Sequence, residues 1–159
     1  MTNISQVKTK IIQPMLNMLP AVYNTQAAAN LLAYTFLAES NGGEYIVQLN
    51  GGPAIGPFQM EPATHDDCWS NFLDFRSNLA AVGRHVACGS VPTPQQMAAN
   101  WIYAAFMCRV KYIRAAAPLP AANDPFGIVT YWKTAYNSAL GAGTIDQFHI
   151  DKANQAISA

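Results

Sequence analysis

Glu39 is the residue whose surroundings in the sequence best suit acid chemistry. It stands near the end of an apolar helical segment, Gln26 to Ser40, and the glycine-rich sequence Asn41-Gly42-Gly43 follows. Apolar neighbours desolvate a carboxyl group and a helix C-terminus disfavours its negative charge, so both effects raise its pKa. A carboxylic acid that stays protonated near neutral pH can act as a general acid and donate a proton to a leaving oxygen.

Three further segments accompany this glutamate in a fixed order. Ser40 follows it directly, Gly56-Pro57-Phe58-Gln59-Met60 comes next, and Ala135-Tyr136-Asn137 lies far downstream. This order resembles the lytic transglycosylase and goose-type lysozyme superfamily, whose members carry a Glu-Ser pair, then Gly-Leu-(Met/Phe)-Gln, then Ala-Tyr-Asn. The stretch from Gly56 to His65, together with Tyr131-Trp132-Lys133, resembles the phage-encoded branch of that superfamily.

The resemblance implies a role for each matching residue. Glu39 would be the catalytic acid and Ser40 would help to orient it. Gln59 would line the substrate cleft and Tyr136 would sit over the glutamate. The motif around Tyr136 continues into Ser-Ala-Leu-Gly instead of directly into glycine, which leaves Tyr131 as the alternative at this position.

The resemblance also implies a fold and a reaction. The fold would be mainly α and lysozyme-like, with about seven helices and one small β-hairpin beside the cleft. A length of 159 residues suits a single catalytic domain over residues 1–159. The reaction would be cleavage of the β-1,4 bond between N-acetylmuramic acid and N-acetylglucosamine in peptidoglycan, with no metal or cofactor.

Hydrolysis of that bond usually requires a second carboxylate, as nucleophile or as base for water. The candidates are Glu44, Glu61, Asp66 and Asp67. Glu44 belongs to the predicted hairpin, where some lysozymes place their second acid. A lytic transglycosylase needs no such partner, because the acetamido group and the 6-hydroxyl of its substrate complete the reaction.

The lack of a clear partner for Glu39 favours the lytic transglycosylase. A lysozyme (muramidase) is the alternative, and a phage virion structural protein with weak or no catalysis is the second alternative. Aromatic side chains can stack on sugar faces, although core packing is the other interpretation for each of them. The candidates for stacking are Tyr45, Phe58, Tyr103, Tyr131 and Trp132.

Helix signals predict the elements that position these residues. Thr25 and Asp124-Pro125 read as starts of helices over 26–40 and 125–136, and Thr144 to Gln147 forms a capping box before the last helix. Thr93-Pro94-Gln95-Gln96 predicts a continuous helix to about Ala117. Further helices are expected over 6–18, with Pro14 interrupting, over 65–75 and over 76–87. The segment Glu44–Leu49 before Asn50-Gly51 predicts the hairpin.

Charge and cysteine content limit the partners. The net charge is zero and only 11% of the residues are charged, so no global field attracts nucleic acid. The three cysteines form no CxxC pair, and His65-x-x-Cys68 would be only half of a zinc site.

Neither a signal peptide nor a membrane span is recognisable in the sequence. We therefore expect no membrane insertion, and the expected partners are the peptidoglycan glycan strand and, for a particle-borne enzyme, other phage tail or virion proteins. The expected site of action is the host periplasm or cell wall, reached by delivery in a phage particle or through a holin-type pore.

Overall fold

A computed structural model describes residues 2–137 and 141–159. This part of the chain is mainly α-helical, which confirms the mainly-α class that the sequence predicts. The α-helices are α1 (Ile4–Val7), α2 (Gln13–Asn17), α3 (Gln26–Ser40), α4 (Pro62–Asn71), α5 (Ser77–Val86), α6 (Gln96–Ala99), α7 (Trp101–Arg114), α8 (Pro125–Trp132) and α9 (Gln147–Ser158). The π-helical turns are Lys8–Ile12, between α1 and α2, and Lys133–Asn137, which extends α8. Short 3-10 turns cover Ala21–Tyr23, Leu49–Gly51 and Leu73–Phe75.

Helices α3 and α7 form the centre of the core. The bounds of α3 are those predicted, and the Thr25 side chain caps it by accepting a hydrogen bond from the Ala28 amide at 3.1 Å. Most of α3 and α7 is buried on all sides. A helix that is apolar all round belongs in the interior, so these two helices provide the fixed frame for the residues at their ends.

The continuous helix predicted from Thr93-Pro94 to about Ala117 is wrong, because it is interrupted at Asn100. This residue has an extended backbone (φ −98°, ψ 90°) that separates α6 from α7. Its side-chain oxygen accepts from the Tyr103 amide at 3.0 Å, and its amide donates to the Val86 carbonyl at 2.8 Å. Asn100 therefore caps α7 and at the same time ties it to the end of α5.

The predicted β-hairpin is also wrong, because residues 44–60 form a compact loop in the described chain. Its pairing is limited to two isolated antiparallel bridges, Val47 with Ile55 and Ile55 with Met60. Ile55 takes part in both bridges. The chain turns back at Gly56 (φ +79°), directly after Ile55, and Met60 thereby comes to pair with it. The pairing cannot extend beyond these single bridges because the chain reverses directly after Ile55.

The C-terminal helix α9 packs against α3 and α8. Asp146 caps it by accepting from the His149 amide at 3.0 Å. The Lys152 ammonium on α9 donates to the Leu37 carbonyl at 2.8 Å and to the Asn41 side-chain oxygen at 3.2 Å. These bonds satisfy a free carbonyl in the last turn of α3 and place a positive charge at its negative dipole end. In the described ranges, each helix is too short or too polar to cross a lipid bilayer.

Candidate active site

The end of α3 holds Glu39 in a defined position. Asn41 adopts the left-handed conformation (φ 50°, ψ 45°) that ends the helix, and its amide donates to the Phe36 carbonyl. The buried Ser40 hydroxyl also donates to the Phe36 carbonyl, at 3.1 Å, and accepts from the Gly43 amide at 2.9 Å. Ser40 thus fixes the turn that follows the acid, and its hydrogen bonds in the described chain go to the backbone and not to the Glu39 carboxylate.

The carboxyl group of Glu39 is partly buried and has one direct donor. The Trp132 indole nitrogen donates to Glu39 Oε1 at 2.7 Å. Burial raises the pKa of Glu39 to about 7, whereas the Trp132 hydrogen bond and the Lys111 cation favour the ionised form and lower it. Desolvation outweighs both, so near pH 7 the group is present in its acid and base forms in comparable amounts. Such a group can donate a proton and later accept one.

Trp132 is itself held rigidly. Its indole is only 2% exposed and meets Tyr34 edge-on, with the ring centroids 5.6 Å apart. On another side it stacks on the His149 ring of α9, with a centroid distance of 5.2 Å and an interplanar angle of 24°. Because α8 and α9 both fix the indole, its N–H can remain directed at the acid.

Glu39 opens into a cleft of about 530 Å³. The wall is mostly polar and comes from the end of α3, the loop after it, α4, α7 and the π-helical turn after α8. The lining residues are Glu39, Tyr45, Gln48, Leu49, Ala54, Gln59, Glu61, Thr64, Lys111, Tyr136, Asn137, Gly141 and Ala142. The cleft thus brings together five residues that the sequence analysis named, which are Glu39, Tyr45, Gln59, Glu61 and Tyr136.

Gln59 and Tyr136 are joined through one turn of the chain. Gln59 has a left-handed backbone (φ 46°), and its side-chain amide donates to the Gly56 carbonyl at 2.8 Å. The Tyr136 hydroxyl donates to the Phe58 carbonyl at 2.8 Å. The hydroxyl of Tyr136 therefore stabilises the turn that carries Gln59. Tyr136 also borders the cleft.

Gly56 begins this turn in a left-handed conformation that favours glycine, at a place without room for a side chain. Its φ is +79°, and a Cβ built on it would lie 2.5 Å from the Met97 carbonyl oxygen. We expect Gly56→Ala to destabilise the fold by about 3 kcal/mol, because left-handed strain adds to a contact with fixed backbone. Activity should fall with it, since Gln59 moves with the turn. Urea denaturation and a wall-lysis assay measure the two effects.

Gly51→Ala is the matched control for that substitution. Gly51 has a similar φ of +75°, but an added Cβ would meet no atom within 4 Å. Its cost should be the conformational strain alone, about 1 kcal/mol. Equal losses for the two variants would contradict the role given to the contact with Met97.

Three of the predicted site residues do not line the cleft, namely the buried Ser40, Glu44 and Tyr131. Glu44 is exposed and accepts a hydrogen bond from the Asn41 side chain; with Thr2 it borders a separate surface depression. Tyr131, the alternative to Tyr136, donates through its hydroxyl to the Ala117 carbonyl at 2.8 Å. Tyr131 does not line the cleft and Tyr136 does, so Tyr136 is the one of these two alternatives that the cleft includes.

Of the other proposed second carboxylates, Glu61 alone lines the cleft with Glu39. It precedes α4, which begins at Pro62 and not, as predicted, at His65. Asp66 bonds the His65 ring at 2.8 Å, and Asp67 pairs with Arg114 at 2.7 Å. Neither aspartate borders the cleft.

The aromatic residues predicted to stack on sugars also divide into one that borders the cleft and others that do not. Tyr45 borders the cleft, whereas Phe58 is buried. The hydroxyl of Tyr103 is 2.6 Å from the His65 ring nitrogen and accepts from the Trp69 indole at 2.9 Å, so this tyrosine belongs to a buried network. Trp132 donates a hydrogen bond to Glu39 and does not line the cleft.

The potential zinc half-site is engaged internally. Both ring nitrogens of His65 have protein partners, and the Cys68 sulfur lies 3.4 Å from Arg114 Nη1. Across residues 2–137 and 141–159, no three side chains of histidine, cysteine, aspartate or glutamate are grouped so that they could hold a metal ion.

Sequence reasoning missed the roles of two residues beside the acid, since it named Trp132 only as a residue that could stack on sugars and did not name Lys111. Trp132 is 93 residues from Glu39, and no local pattern links an indole to a distant carboxylate. Lys111 does have a signal, since it is a charged residue inside the apolar helix α7, between Val110 and Tyr112. Comparison with known proteins adds no further information here: no family model, no curated protein and no solved structure matches this chain.

Proposed function

We propose that this protein is a peptidoglycan lytic transglycosylase with a lysozyme-like fold. The observation that carries the proposal is Glu39, a partly buried carboxyl group with a pKa of about 7 at the edge of a polar cleft. The order of the Glu-Ser, Gly-Pro-Phe-Gln and Ala-Tyr-Asn segments supports it from the sequence side. The bond cleaved would be the β-1,4 linkage between N-acetylmuramic acid and N-acetylglucosamine.

The proposed reaction uses Glu39 twice. The protonated carboxyl donates its proton to the glycosidic oxygen as the bond to C1 of the muramic acid breaks. The carboxylate that remains accepts the proton of the 6-hydroxyl on the same sugar, whose oxygen closes onto C1. The products are a 1,6-anhydro end and a free hydroxyl on the leaving sugar, and Glu39 returns to its acid form.

The surroundings of Glu39 suit both steps. A pKa near ambient pH maximises the efficiency of a group that is acid first and base second. The Trp132 N–H stabilises the carboxylate while it exists, and the Lys111 charge acts in the same direction. Tyr45, Gln59 and Asn137 line the remaining wall, where they would contact the sugars.

A lysozyme remains the second candidate because Glu61 lines the same cleft. A second carboxylate in the cleft of a general acid can act as a base for water or as a nucleophile. In that case water attacks C1, and the product ends in a reducing sugar. The proposal of a lyase therefore makes a specific statement about Glu61, namely that it is not required for bond cleavage.

Mass spectrometry of digested peptidoglycan tests the proposal. Muropeptides with 1,6-anhydromuramic acid ends are expected, and the Glu61→Gln variant should produce them as well. Reducing ends alone, together with loss of activity in Glu61→Gln, would support the lysozyme instead. Release of no glycan fragment by the wild-type protein would contradict both.

We also propose that the protein is phage-encoded and acts on the host wall, as an endolysin or as part of the virion. The proposal rests on the resemblance to the phage-encoded branch and on the location of peptidoglycan outside the cytoplasmic membrane. The proposed partner is thus the glycan strand, with other tail or virion proteins if the enzyme is particle-borne. Probing purified particles and lysates with an antibody to the protein distinguishes the two forms.

A further inference from the structure

The imidazole of His149 is the part of α9 that contacts the Trp132 indole. The two rings are nearly parallel, with an interplanar angle of 24° and centroids 5.2 Å apart. The Phe148 ring meets the imidazole edge-on at 5.4 Å, and only 13% of the His149 side chain is exposed. The imidazole therefore fills the space beside the indole and restricts its rotation in that direction.

Asp146 fixes the imidazole in turn. Its Oδ1 accepts from the His149 amide at 3.0 Å and from the His149 ring nitrogen Nδ1 at 2.9 Å. Hydrogen bonds from the Thr144 hydroxyl and from His149 hold the pKa of Asp146 well below its usual range, so this side chain is an ionised acceptor. One carboxylate thus fixes both the backbone at the start of α9 and the ring that packs on the indole.

These contacts lead from α9 to the acid in three steps. Asp146 orients His149, and His149 packs on Trp132. Trp132 then donates to Glu39 Oε1 at 2.7 Å. The strength of a hydrogen bond depends on its angle, and the angle of this one depends on the surfaces that hold the indole. Tyr34 provides one such surface and His149 another.

We propose that His149 and Asp146 are positioning residues of the reaction, which act on Glu39 through Trp132. The inference rests on the proposed function, but its effect on the ionisation of Glu39 can be measured without substrate. A loosened indole would stabilise the carboxylate less and would slow bond cleavage without weakening substrate binding. The last helix would then contribute to catalysis although none of its residues, all of which the structure describes, lines the cleft.

The direction of the change in pKa separates positioning from a direct effect of charge. Asp146→Ala removes a negative charge, which through space would lower the pKa of Glu39, whereas a loosened indole raises it. Asp146→Asn removes the same charge but keeps an oxygen that can accept from the amide and the ring, so Glu39 should behave as in the wild type. Both variants retain the other ionisable side chains that interact with Glu39, which are Lys111, Cys108 and Tyr112 of α7, Tyr34 of α3, Tyr45 of the loop after α3, and Tyr136.

Two substitutions of His149 separate the ring from its charge. His149→Ala should lower kcat about threefold to tenfold with KM nearly unchanged, because the carboxylate loses part of its alignment. His149→Phe should recover most of the loss, since a flat uncharged ring again packs on the indole. Ile157→Ala is the matched control: it removes a partly buried side chain in the last turn of α9 and should lower stability without changing Glu39.

An NMR titration measures the ionisation of Glu39 directly. The chain has only three glutamates, Glu39, Glu44 and Glu61, so carbon-13 in the glutamate carboxyl gives three signals, and Glu39→Gln identifies the relevant one. The wild-type midpoint should lie at about pH 7. We expect His149→Ala and Asp146→Ala to move it to higher pH and the two conservative variants and the control to leave it near that value. A midpoint that stays in place in folded His149→Ala, or falls in Asp146→Ala, overturns the proposal.

Combination with Trp132→Phe tests whether the effect passes through the indole. His149→Ala should slow an enzyme that has Trp132 and change the Trp132→Phe enzyme little, because the donor is already lost. Equal fold-losses of kcat in the two backgrounds contradict this route, and thermal unfolding verifies that each variant is folded. Absence of glycan cleavage by the wild type overturns the proposed function, whereas the NMR midpoints still decide the positioning role.

Discussion

Glu39→Gln is expected to abolish glycan cleavage and to make the folded protein more stable at neutral and alkaline pH. Glutamine cannot donate a proton, and a positioned general acid contributes about 10²- to 10⁴-fold to the rate. Because glutamine nearly matches the shape of glutamate, the cleft should keep its form. Release of soluble fragments from purified peptidoglycan measures the loss, and circular dichroism verifies the fold.

The gain in stability follows from the raised pKa of Glu39. The folded value is about 7 and the ordinary value is 4.5, so the folded state holds the proton more tightly than the unfolded state does. As pH rises from about 4.5 to about 7, the unfolded chain loses the proton first and the free energy of unfolding falls. Above pH 7 the cost of the buried charge is complete, at about 3 kcal/mol.

Urea denaturation of the wild type and Glu39→Gln at pH 4 and at pH 8 tests this. The two proteins should be about equally stable at pH 4, and the variant should be more stable at pH 8. Asp151→Asn, which neutralises an exposed carboxylate on α9, is the control and should show no comparable gain. If wild type and Glu39→Gln are equally stable at pH 8, the carboxyl of Glu39 does not have a raised pKa.

Trp132→Phe should shift the pH dependence of the reaction. The indole N–H is the direct donor to Glu39, and its hydrogen bond lowers the pKa of the acid. Without it the pKa rises, so the fall in kcat/KM on the alkaline side should move to higher pH. At the optimum the rate should fall about tenfold or more, because the carboxylate loses its orientation and one charge-assisted hydrogen bond.

The smaller ring also leaves a void between Tyr34 and His149, at a cost of about 1–3 kcal/mol. Trp101→Phe is the matched control, since Trp101 packs on Phe36 at a centroid distance of 5.7 Å without bonding the acid. It should lower stability and leave the alkaline limb of the profile in place. An identical profile for wild type and Trp132→Phe would remove the indole from the chemistry.

The sequence predicted well those features that depend on neighbouring residues. Thr25 marks the start of α3, and Asp124 marks the start of α8 by accepting from the Gly127 amide. In each case the cap and the helix are within a few residues of each other. Glu39 was selected from its place between an apolar helix and glycines together with the ordered Glu-Ser, Gly-Pro-Phe-Gln and Ala-Tyr-Asn segments.

Features that depend on distant partners were missed. The break at Asn100 is stabilised by the Val86 carbonyl of α5, and the loop after α3 pairs through single bridges where a hairpin was expected. The donor to the acid, Trp132, is fixed by packing on α9, which no local pattern encodes. Glu61, the carboxylate that shares the cleft, was one of four candidates, and the sequence had favoured Glu44 because of the predicted hairpin.

The bond from Lys152 on α9 to the Leu37 carbonyl of α3 also bears on the order in which the site forms. It spans 115 residues, and the bond from Trp132 to Glu39 spans 93. The docking of α9 therefore adds a second support to the last turn of α3, through Lys152, and to the indole of Trp132, through His149. Because α9 is the last helix in the chain, these two supports would be the last to form during synthesis. The complete set of contacts around Glu39 would then be present only in the finished fold.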